Sequence, residues 1–399
     1  MNPAIIEEIR TAIRQESLDG WLFCNFRHRD PLADEILGVN PGATNSRLWF
    51  YAVPASGGDS ADCVSGEALG ILHAVEPDSL GAALPGKRVF YRSREELLMR
   101  LAPLAGKRWG CHFSKSITAI SYLDAGTALL LEEAGLCLVP AEGLLQRFKG
   151  LLSPAGIAAH ERAAGHLYEI VDLVWEETRR RFASGAALYE GDIRRLILEE
   201  FARRNLVTDH PPIVAAGKNS CNPHYDLSIP TGDRIAENDV VQLDLWAKES
   251  GLGGIYADIS WVGFYGKQAS AGIERAFANL VQSREGALRF IQEALSAGRR
   301  PAGADVDQRT REILTGFGYA GALRHRTGHG IDTMLHGSGV NMDSVEFPDS
   351  RRLLDGSCFS LEPGVYFTDF GMRTEIDVYI KDGAPVISGK DRQFALLYC

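Results

Sequence analysis

Residues 240–262 read VVQLDLWAKESGLGGIYADISWV, and this stretch has the pattern of two strands joined by a loop. Its first part alternates between apolar residues and a polar face that carries Asp244, as a half-buried strand does. Its last part alternates in the same way and carries Asp258. The polar, glycine-rich KESGLGG between them predicts a hairpin loop. If the two strands pair, both aspartates share one face within reach of one cation pair; the alternative is two acids on a solvated hairpin face.

A second acid pair lies nearer the C-terminus. Glu362 stands just before Pro-Gly in DGSCFSLEPGVYF (355–367), a sequence that can turn the chain. Glu375 lies in GMRTEIDVYI (371–380), on the next predicted strand. Because two acid pairs each belong to a predicted hairpin, a solvated surface is a much weaker explanation for either pair.

His329 adds an imidazole to the four carboxylates. It lies between glycines in TGHGID (327–332), where small neighbours allow the ring to approach a metal. Four carboxylates and one imidazole form a hard, oxygen-rich set that suits a pair of divalent cations such as Mn²⁺, Zn²⁺, Co²⁺ or Fe²⁺. Without metal, converging carboxylates would repel one another and resist burial.

Two further histidines lie near these motifs. His336 follows His329 by seven residues, and His224 lies in NPHYD after an apolar run. Either could be a structural histidine with satisfied hydrogen bonds. Beside a carboxylate cluster, both are better interpreted as proton donors or oxyanion stabilisers.

Composition limits the classes of function. The chain has 399 residues, more than one core usually supports, so we expect two domains. Its net charge of −10 and the lack of a dense Lys/Arg run argue against a nucleic-acid partner. No stretch of 18 apolar residues occurs, so no membrane span is expected. The seven cysteines are odd in number and lack a CxxC motif, which favours free thiols in a reducing cytoplasm.

The pattern along the chain predicts a mixed α/β fold. In the first ~150 residues, short apolar runs alternate with helical stretches. A boundary is expected near Lys149 to Pro154, followed by a long amphipathic helix. Beyond it, helices alternate with mostly antiparallel strands, the α+β form of the class.

Taken in order, PHY, LDL with ADIS, HRTGHGI, LEPGVY and RTE resemble the M24 metallopeptidase family, which has the pita-bread fold. The resemblance covers residues 155–399. The first ~150 residues resemble the creatinase-type domain that precedes it in the Xaa-Pro branch. The resemblance implies a creatinase-like domain over 1–150 and a catalytic domain over 151–399. It also implies an aminopeptidase P or prolidase-like enzyme that hydrolyses the bond before proline.

The resemblance also implies a role for each ligand. Asp244 would bind one metal, while His329 and Glu362 would bind the other. Asp258 and Glu375 would bridge both. Mn²⁺ is the most expected cation, and Co²⁺, Zn²⁺ and Fe²⁺ are alternatives.

Catalytic roles follow from the ligand set, in the case of Glu362, and from the same resemblance, in the case of the other residues. Glu362 would act as general base, and Arg373 would order the site. His224 and His336 would contact substrate and stabilise the tetrahedral intermediate. The expected partners are a short peptide substrate and a second copy of the chain in a homodimer.

Three departures from the family pattern lie near these motifs. The two aspartates are fourteen residues apart, where eleven is usual, so the hairpin loop is longer. Trp261 stands where arginine is usual, and Gly337 stands where glutamate usually follows the histidine, with an insertion at 338–352. These changes are expected around the substrate pocket. They keep open a metal-dependent lyase or hydrolase of a small non-peptide molecule. A catalytically inactive peptide-binding module is a third class, against which the retained ligand set argues.

Overall fold

The computed structural model describes residues 3–56, 66–389 and 392–399. The chain forms two compact units, Met1–Lys149 and Gly150–Cys399. Cys63 lies outside the described residues, and the other six cysteines are free thiols.

The helices and strands of the described chain are as follows. The helices are α1 (Pro3–Gln15), α2 (Pro31–Leu37), α3 (Arg94–Leu101), α4 (Ala125–Glu133), α5 (Glu142–Lys149), α6 (Pro154–Ser184), α7 (Glu190–Arg203), α8 (Ala271–Ser296) and α9 (Gly303–Gly316). The strands of the first unit are β1 (Gly20–Asn25), β2 (Trp49–Pro54), β3 (Leu69–His73), β4 (Lys87–Tyr91), β5 (Arg108–Cys111) and β6 (Cys137–Pro140). Those of the second unit are β7 (Leu206–Val207), β8 (Ile213–Ala216), β9 (Val240–Glu249), β10 (Ala257–Phe264), β11 (Cys358–Leu361), β12 (Gly364–Tyr366), β13 (Gly371–Arg373), β14 (Ile376–Lys381), β15 (Ala384–Ile387) and β16 (Leu397–Tyr398).

The first unit is built on one mixed sheet with strand order β4-β3-β2-β1-β5-β6. Its central strand β1 is apolar from Trp21 to Cys24 and ends at the buried Asn25, and its apolar residues alternate between two cores. Trp21 and Phe23 belong to one apolar cluster, whereas Leu22 belongs to the other. Because successive side chains of a strand point to opposite faces, the continuous apolar run reflects a sheet that is covered on both faces.

The second unit centres on the β9/β10 hairpin and the long helix α6. Ser153 begins α6 by accepting a hydrogen bond from the Gly156 N–H (3.1 Å), and Gly185 ends it with φ of 68°. The apolar face of the hairpin packs against this helix, so that Leu245 shares a core with Trp175. The two surfaces are in close contact, since a Cβ on Gly263 would lie 1.9 Å from the Trp175 ring.

The C-terminal strands form two smaller sheets beside this hairpin. One has the order β11-β14-β15, and the other pairs β12 with β13. All these pairings are antiparallel, in agreement with the pattern expected beyond the boundary. The mixed α/β prediction is therefore confirmed. In the described part of the chain, no helix combines the length and apolar character needed to cross a bilayer.

Candidate metal centre

The β9/β10 hairpin presents two aspartates on the face opposite its apolar core. Asp244 lies directly across from Ser260, and Asp258 lies across from Trp246. The aspartates are therefore diagonal neighbours, a relation in which side chains still reach one another. Both are 5% exposed, so the solvated-face alternative is wrong for this pair.

Glu362 and Glu375 lie where the chain crosses between the two small sheets. Glu362 joins β11 to β12, and Glu375 joins β13 to β14. Because β11 pairs with β14 and β12 pairs with β13, the two junctions run side by side. The Glu375 N–H donates to the Ser260 carbonyl (3.1 Å), which ties its junction to β10.

The GHG segment brings His329 against these strands. A Cβ on Gly328 would lie 2.0 Å from the Ser360 carbonyl oxygen, so only glycine permits this approach of the two backbones. The His329 N–H donates to Ser360 Oγ (3.0 Å), and the Ser360 N–H donates to the His329 carbonyl (2.9 Å). The imidazole is thereby fixed on the side of the cluster next to β11.

The five predicted ligands lie in one buried cluster. His329 Nε2 lies 3.5 Å from Asp258 Oδ2 and 3.6 Å from Glu362 Oε1. Ligand atoms of Asp258, His329 and Glu375 all lie within 4.8 Å of one another. Asp244 joins them through Ser260, whose Oγ is 2.7 Å from Asp244 Oδ1 and 2.8 Å from Glu375 Oε2.

The electrostatics of the cluster fit a cation. Burial raises the pKa of Asp258 well above its usual value, and the charges of Asp244 and Glu362 raise it further. Burial, followed by the charge of Asp258, also raises the pKa of Glu375 well above its usual value. Among the described residues, Asp258 Oδ1 and Glu375 Oε1 are buried oxygens without a hydrogen-bond partner. Unpaired buried carboxylates are costly, and a divalent cation would relieve that cost.

Arg373 lies on the Asp244 side of the cluster. It is 4% exposed and forms an ion pair with Asp244. Its Nε donates to Ser260 Oγ (3.0 Å) and lies 3.7 Å from Glu362 Oε2. Its Nη1 donates to the Tyr366 hydroxyl (3.2 Å). The Arg373 guanidinium thus contacts two predicted ligands, Asp244 and Glu362. It also contacts Ser260, which lies between Asp244 and Glu375.

The two predicted substrate histidines lie at the exposed edge of the cluster. The His336 ring stands perpendicular to that of His329, with centroids 4.3 Å apart. A positive charge on His329 lowers the pKa of His336 to about 3, and the charges of Arg326 and His224 contribute to that shift. Both His224 and His336 are solvent-exposed.

Two buried residues that support the centre are not evident as such from the sequence. Asp377 Oδ2 accepts the Asp258 N–H (2.7 Å) and lies 3.8 Å from Nε2 of the buried His160. Asp377 follows Glu375 by two residues, so the alternation of the strand places both on one face. Asp377 therefore fixes the backbone of the predicted ligand Asp258 through this hydrogen bond.

Glu190, at the start of α7, is the second such residue and is fully buried. Its carboxylate accepts hydrogen bonds from Ala216 N–H (2.8 Å), Asn219 Nδ2 (3.0 Å), the Tyr225 hydroxyl (2.9 Å) and Asp233 N–H (2.9 Å). These partners bracket the loop that carries His224. No motif in the sequence links a helix-start glutamate to that loop.

Trp261 corrects one expectation from the sequence. It lies on the α6 side of β10, with its ring 6.0 Å from that of Tyr168, and packs in the apolar core. Because neighbouring strand residues face opposite ways, Trp261 points away from the face that carries Asp258 and Ser260. The expectation that Trp261 reshapes the substrate pocket is therefore wrong.

Comparison with known proteins decides the family. The model of metallopeptidase family M24 matches residues 159–382, more than half of the chain. The chain belongs to metallopeptidase family M24. Membership implies the use of a divalent metal.

Individual relatives agree with the M24 assignment. An Xaa-Pro dipeptidase of Lactobacillus delbrueckii subsp. lactis is 30% identical over 194 residues, which cover 48% of each chain. The match thus spans about half the length of the curated relatives.

Solved structures resemble the M24 chain over nearly its whole length. Dipeptidase PepE from Mycobacterium ulcerans has a TM-score of 0.74 at 20% identity and covers 99% of this chain and 98% of its own. A recombinant prolidase from Thermococcus sibiricus has a TM-score of 0.63 at 22% identity, with the same coverage. At such identities these structures establish the fold, and the predicted pita-bread architecture is confirmed.

Proposed function

We propose that this chain is an Xaa-Pro peptidase, of aminopeptidase P or prolidase type, that hydrolyses the bond before proline with two divalent cations. One observation carries the proposal. The M24 match contains a single buried cluster of Asp244, Asp258, His329, Glu362 and Glu375.

The ligand roles are proposed from the contacts within the cluster. Asp258 and Glu375 each have an unpartnered buried oxygen, which supports a bridging role for both. Asp244 would hold one cation, and His329 with Glu362 would hold the other. Such a pair, when bound, lowers the pKa of water from about 15.7 toward about 7 and polarises a carbonyl oxygen. Mn²⁺ is our first choice because the donors are mainly carboxylate oxygens.

Glu362 is the proposed general base. Its side chain is half-buried, more exposed than the other four proposed ligands, so that its carboxylate can face a substrate. One oxygen of Glu362 accepts the proton of the attacking water and returns it to the leaving nitrogen. Arg373, 3.7 Å away, holds that carboxylate and Asp244 in a fixed relation.

His224 and His336 are the proposed substrate contacts. Both are exposed at the edge of the cluster, and an imidazole N–H there can donate to the developing oxyanion. A tertiary amide before proline has no N–H, so a proline-tolerant site recognises the ring by shape. These histidines are its proposed walls.

The wider setting is also proposed. The unit Met1–Lys149 is taken as a creatinase-type domain, and a homodimer would supply that domain of a neighbouring subunit to the substrate pocket. A reducing cytoplasm is the proposed location, because the described cysteines are free thiols. The substrate is a short peptide with a free N-terminus.

The proposal is tested with Xaa-Pro peptides of increasing length, in Mn²⁺, Co²⁺ and Zn²⁺, against matched Xaa-Ala peptides. We expect metal-dependent release of the N-terminal residue from Xaa-Pro peptides and little cleavage of Xaa-Ala peptides. The length series distinguishes a dipeptidase from an aminopeptidase. Folded, metal-loaded protein that leaves every Xaa-Pro peptide intact would contradict the proposal and direct attention to small non-peptide substrates.

Two variants separate metal binding from substrate contact. Glu375→Ala is expected to lose at least one metal equivalent by elemental analysis, because a bridging carboxylate serves both cations. His336→Ala is expected to keep its metal while its rate falls by roughly 10²–10⁴-fold. Equal loss of metal in both variants would refute this division of roles.

The relatives favour the peptidase over the alternative classes. The Lactobacillus relative is named an Xaa-Pro dipeptidase. An inactive peptide-binding module would have no use for a buried carboxylate cluster with unpartnered oxygens.

A further inference from the structure

The loop between His329 and His336 is closed by a single backbone contact. The Gly337 N–H donates to the Gly330 carbonyl (2.7 Å). Each histidine directly precedes one of these two glycines. Closing the loop therefore places the two imidazoles beside each other, with ring centroids 4.3 Å apart.

The Asp332 side chain lies inside this loop and accepts hydrogen bonds from backbone N–H groups on both sides of His336. Its Oδ1 accepts the Met334 N–H (2.7 Å), and its Oδ2 accepts the Ser338 N–H (2.7 Å). These two residues flank His336. Asp332 is 2% exposed, and its own carbonyl accepts the Tyr256 N–H (3.0 Å), which anchors it to the chain just before β10.

The same carboxylate accounts for Gly337. A Cβ at position 337 would lie 2.6 Å from Asp332 Cγ and 2.7 Å from its Oδ2. Gly337 is not among the residues with positive φ, so backbone conformation does not require glycine there. The space for a side chain is taken by Asp332. A glutamate side chain at 337 and the aspartate at 332 would therefore exclude one another.

We propose that Asp332 is a positioning residue for His336. It acts on substrate through His336 by fixing the backbone on both sides of that histidine. This inference rests on the proposed function, in which His336 contacts the substrate.

The first test is Asp332→Asn. An amide keeps the size of the side chain but turns an NH₂ group toward one of the two N–H donors, so that one hydrogen bond is lost. We expect kcat on an Xaa-Pro peptide to fall by roughly 10- to 100-fold, as misplacement of a positioned group does, with metal content unchanged. Asp305→Asn is the control, because Asp305 also closes a turn, by accepting the Ala302 N–H (2.8 Å), but lies at the start of α9. The control is expected to keep the wild-type kcat.

A double-mutant cycle with His336→Ala separates positioning from general stability. If Asp332 acts through His336, Asp332→Asn has no further effect on kcat once the histidine is gone. Losses that multiply in the double variant would overturn the proposal.

An exchange of the two positions is the second test. Gly337→Glu alone should lose activity and thermal stability because its side chain meets Asp332. The double variant Asp332→Gly with Gly337→Glu should recover kcat relative to Gly337→Glu. A double variant no better than Gly337→Glu would contradict the exclusion of one carboxylate by the other.

Amide hydrogen exchange tests the loop without reference to activity. The amides of Met334 and Ser338 should exchange faster in Asp332→Asn than in the wild type, whereas Asp305→Asn should leave them unchanged. Inactive wild-type protein with this exchange pattern would refute the proposed function and leave the anchoring by Asp332 supported. Unchanged exchange in an active enzyme would refute the positioning role alone.

Discussion

Replacing Arg373 with methionine tests the electrostatic balance of the cluster. The change keeps much of the side-chain length and removes the charge that pairs with Asp244. It also removes hydrogen bonds to Ser260 Oγ (3.0 Å) and to the Tyr366 hydroxyl (3.2 Å). Breaking a buried ion pair by removing one partner costs about 3–5 kcal/mol. For a unit of this size, that cost lowers the thermal midpoint by roughly 6–20 °C.

The metal should reduce this cost. A divalent cation returns a positive partner to Asp244, so that the remaining loss is that of hydrogen bonds, about 1–3 kcal/mol. The assay is thermal unfolding of wild type and Arg373→Met, each with chelator and with Mn²⁺. We expect the difference in midpoint between the two proteins to be larger in chelator. A difference that is the same in both conditions would refute the idea that metal and Arg373 neutralise the same carboxylates.

Three further predictions concern other parts of the second unit. Trp261→Phe should reduce the free energy of unfolding by roughly 1 kcal/mol, seen as a lower thermal midpoint, and leave the order of preference among Xaa-Pro peptides unchanged. An altered preference would contradict the placement of Trp261 on the α6 side. Glu190→Gln should reduce the free energy of unfolding by about 1–3 kcal/mol and raise KM, because the amide NH₂ group faces one of the backbone N–H donors and the loop that carries His224 is less firmly held. An unchanged KM in a destabilised protein would argue against a role of Glu190 in holding that loop. Hydrogen bonds from Arg180, followed by those from Arg181, lower the pKa of Glu177 from 4.5 to about 2. Because the pKa of Glu177 is lower in the folded than in the unfolded protein, ionised Glu177 stabilises the fold above pH 4.5 and loses this effect as the pH falls toward 2. The difference in thermal midpoint between wild type and Glu177→Gln should therefore shrink over that pH range. A difference that persists to pH 2 would contradict this assignment.

The strand pattern carries most of what could be predicted. Period-two alternation around Asp244 and Asp258 was enough to place both on one polar face of a hairpin. The diagonal offset between them was not predictable, because it depends on how many residues the loop KESGLGG takes up before pairing resumes. The same alternation already implied that Trp261, next to Ser260, faces the other way.

The residues that act through loops could not be predicted from the sequence. The closeness of His329 and His336 depends on the Gly330–Gly337 contact and on the carboxylate of Asp332 inside the loop. Glu190 acts on a loop more than twenty residues away, through hydrogen bonds that no spacing rule encodes. Such contacts are set by tertiary packing, whereas the ligand motifs are set by local periodicity.

We expect the five residues of the cluster to bind two divalent cations together. Anomalous diffraction from crystals grown with Mn²⁺ tests this binding. We expect two peaks inside the cluster, with oxygens of Asp258 and Glu375 contacting both and Asp244 and His329 on opposite sides. Manganese bound elsewhere, or a cluster that stays without anomalous signal at saturating Mn²⁺, would contradict it.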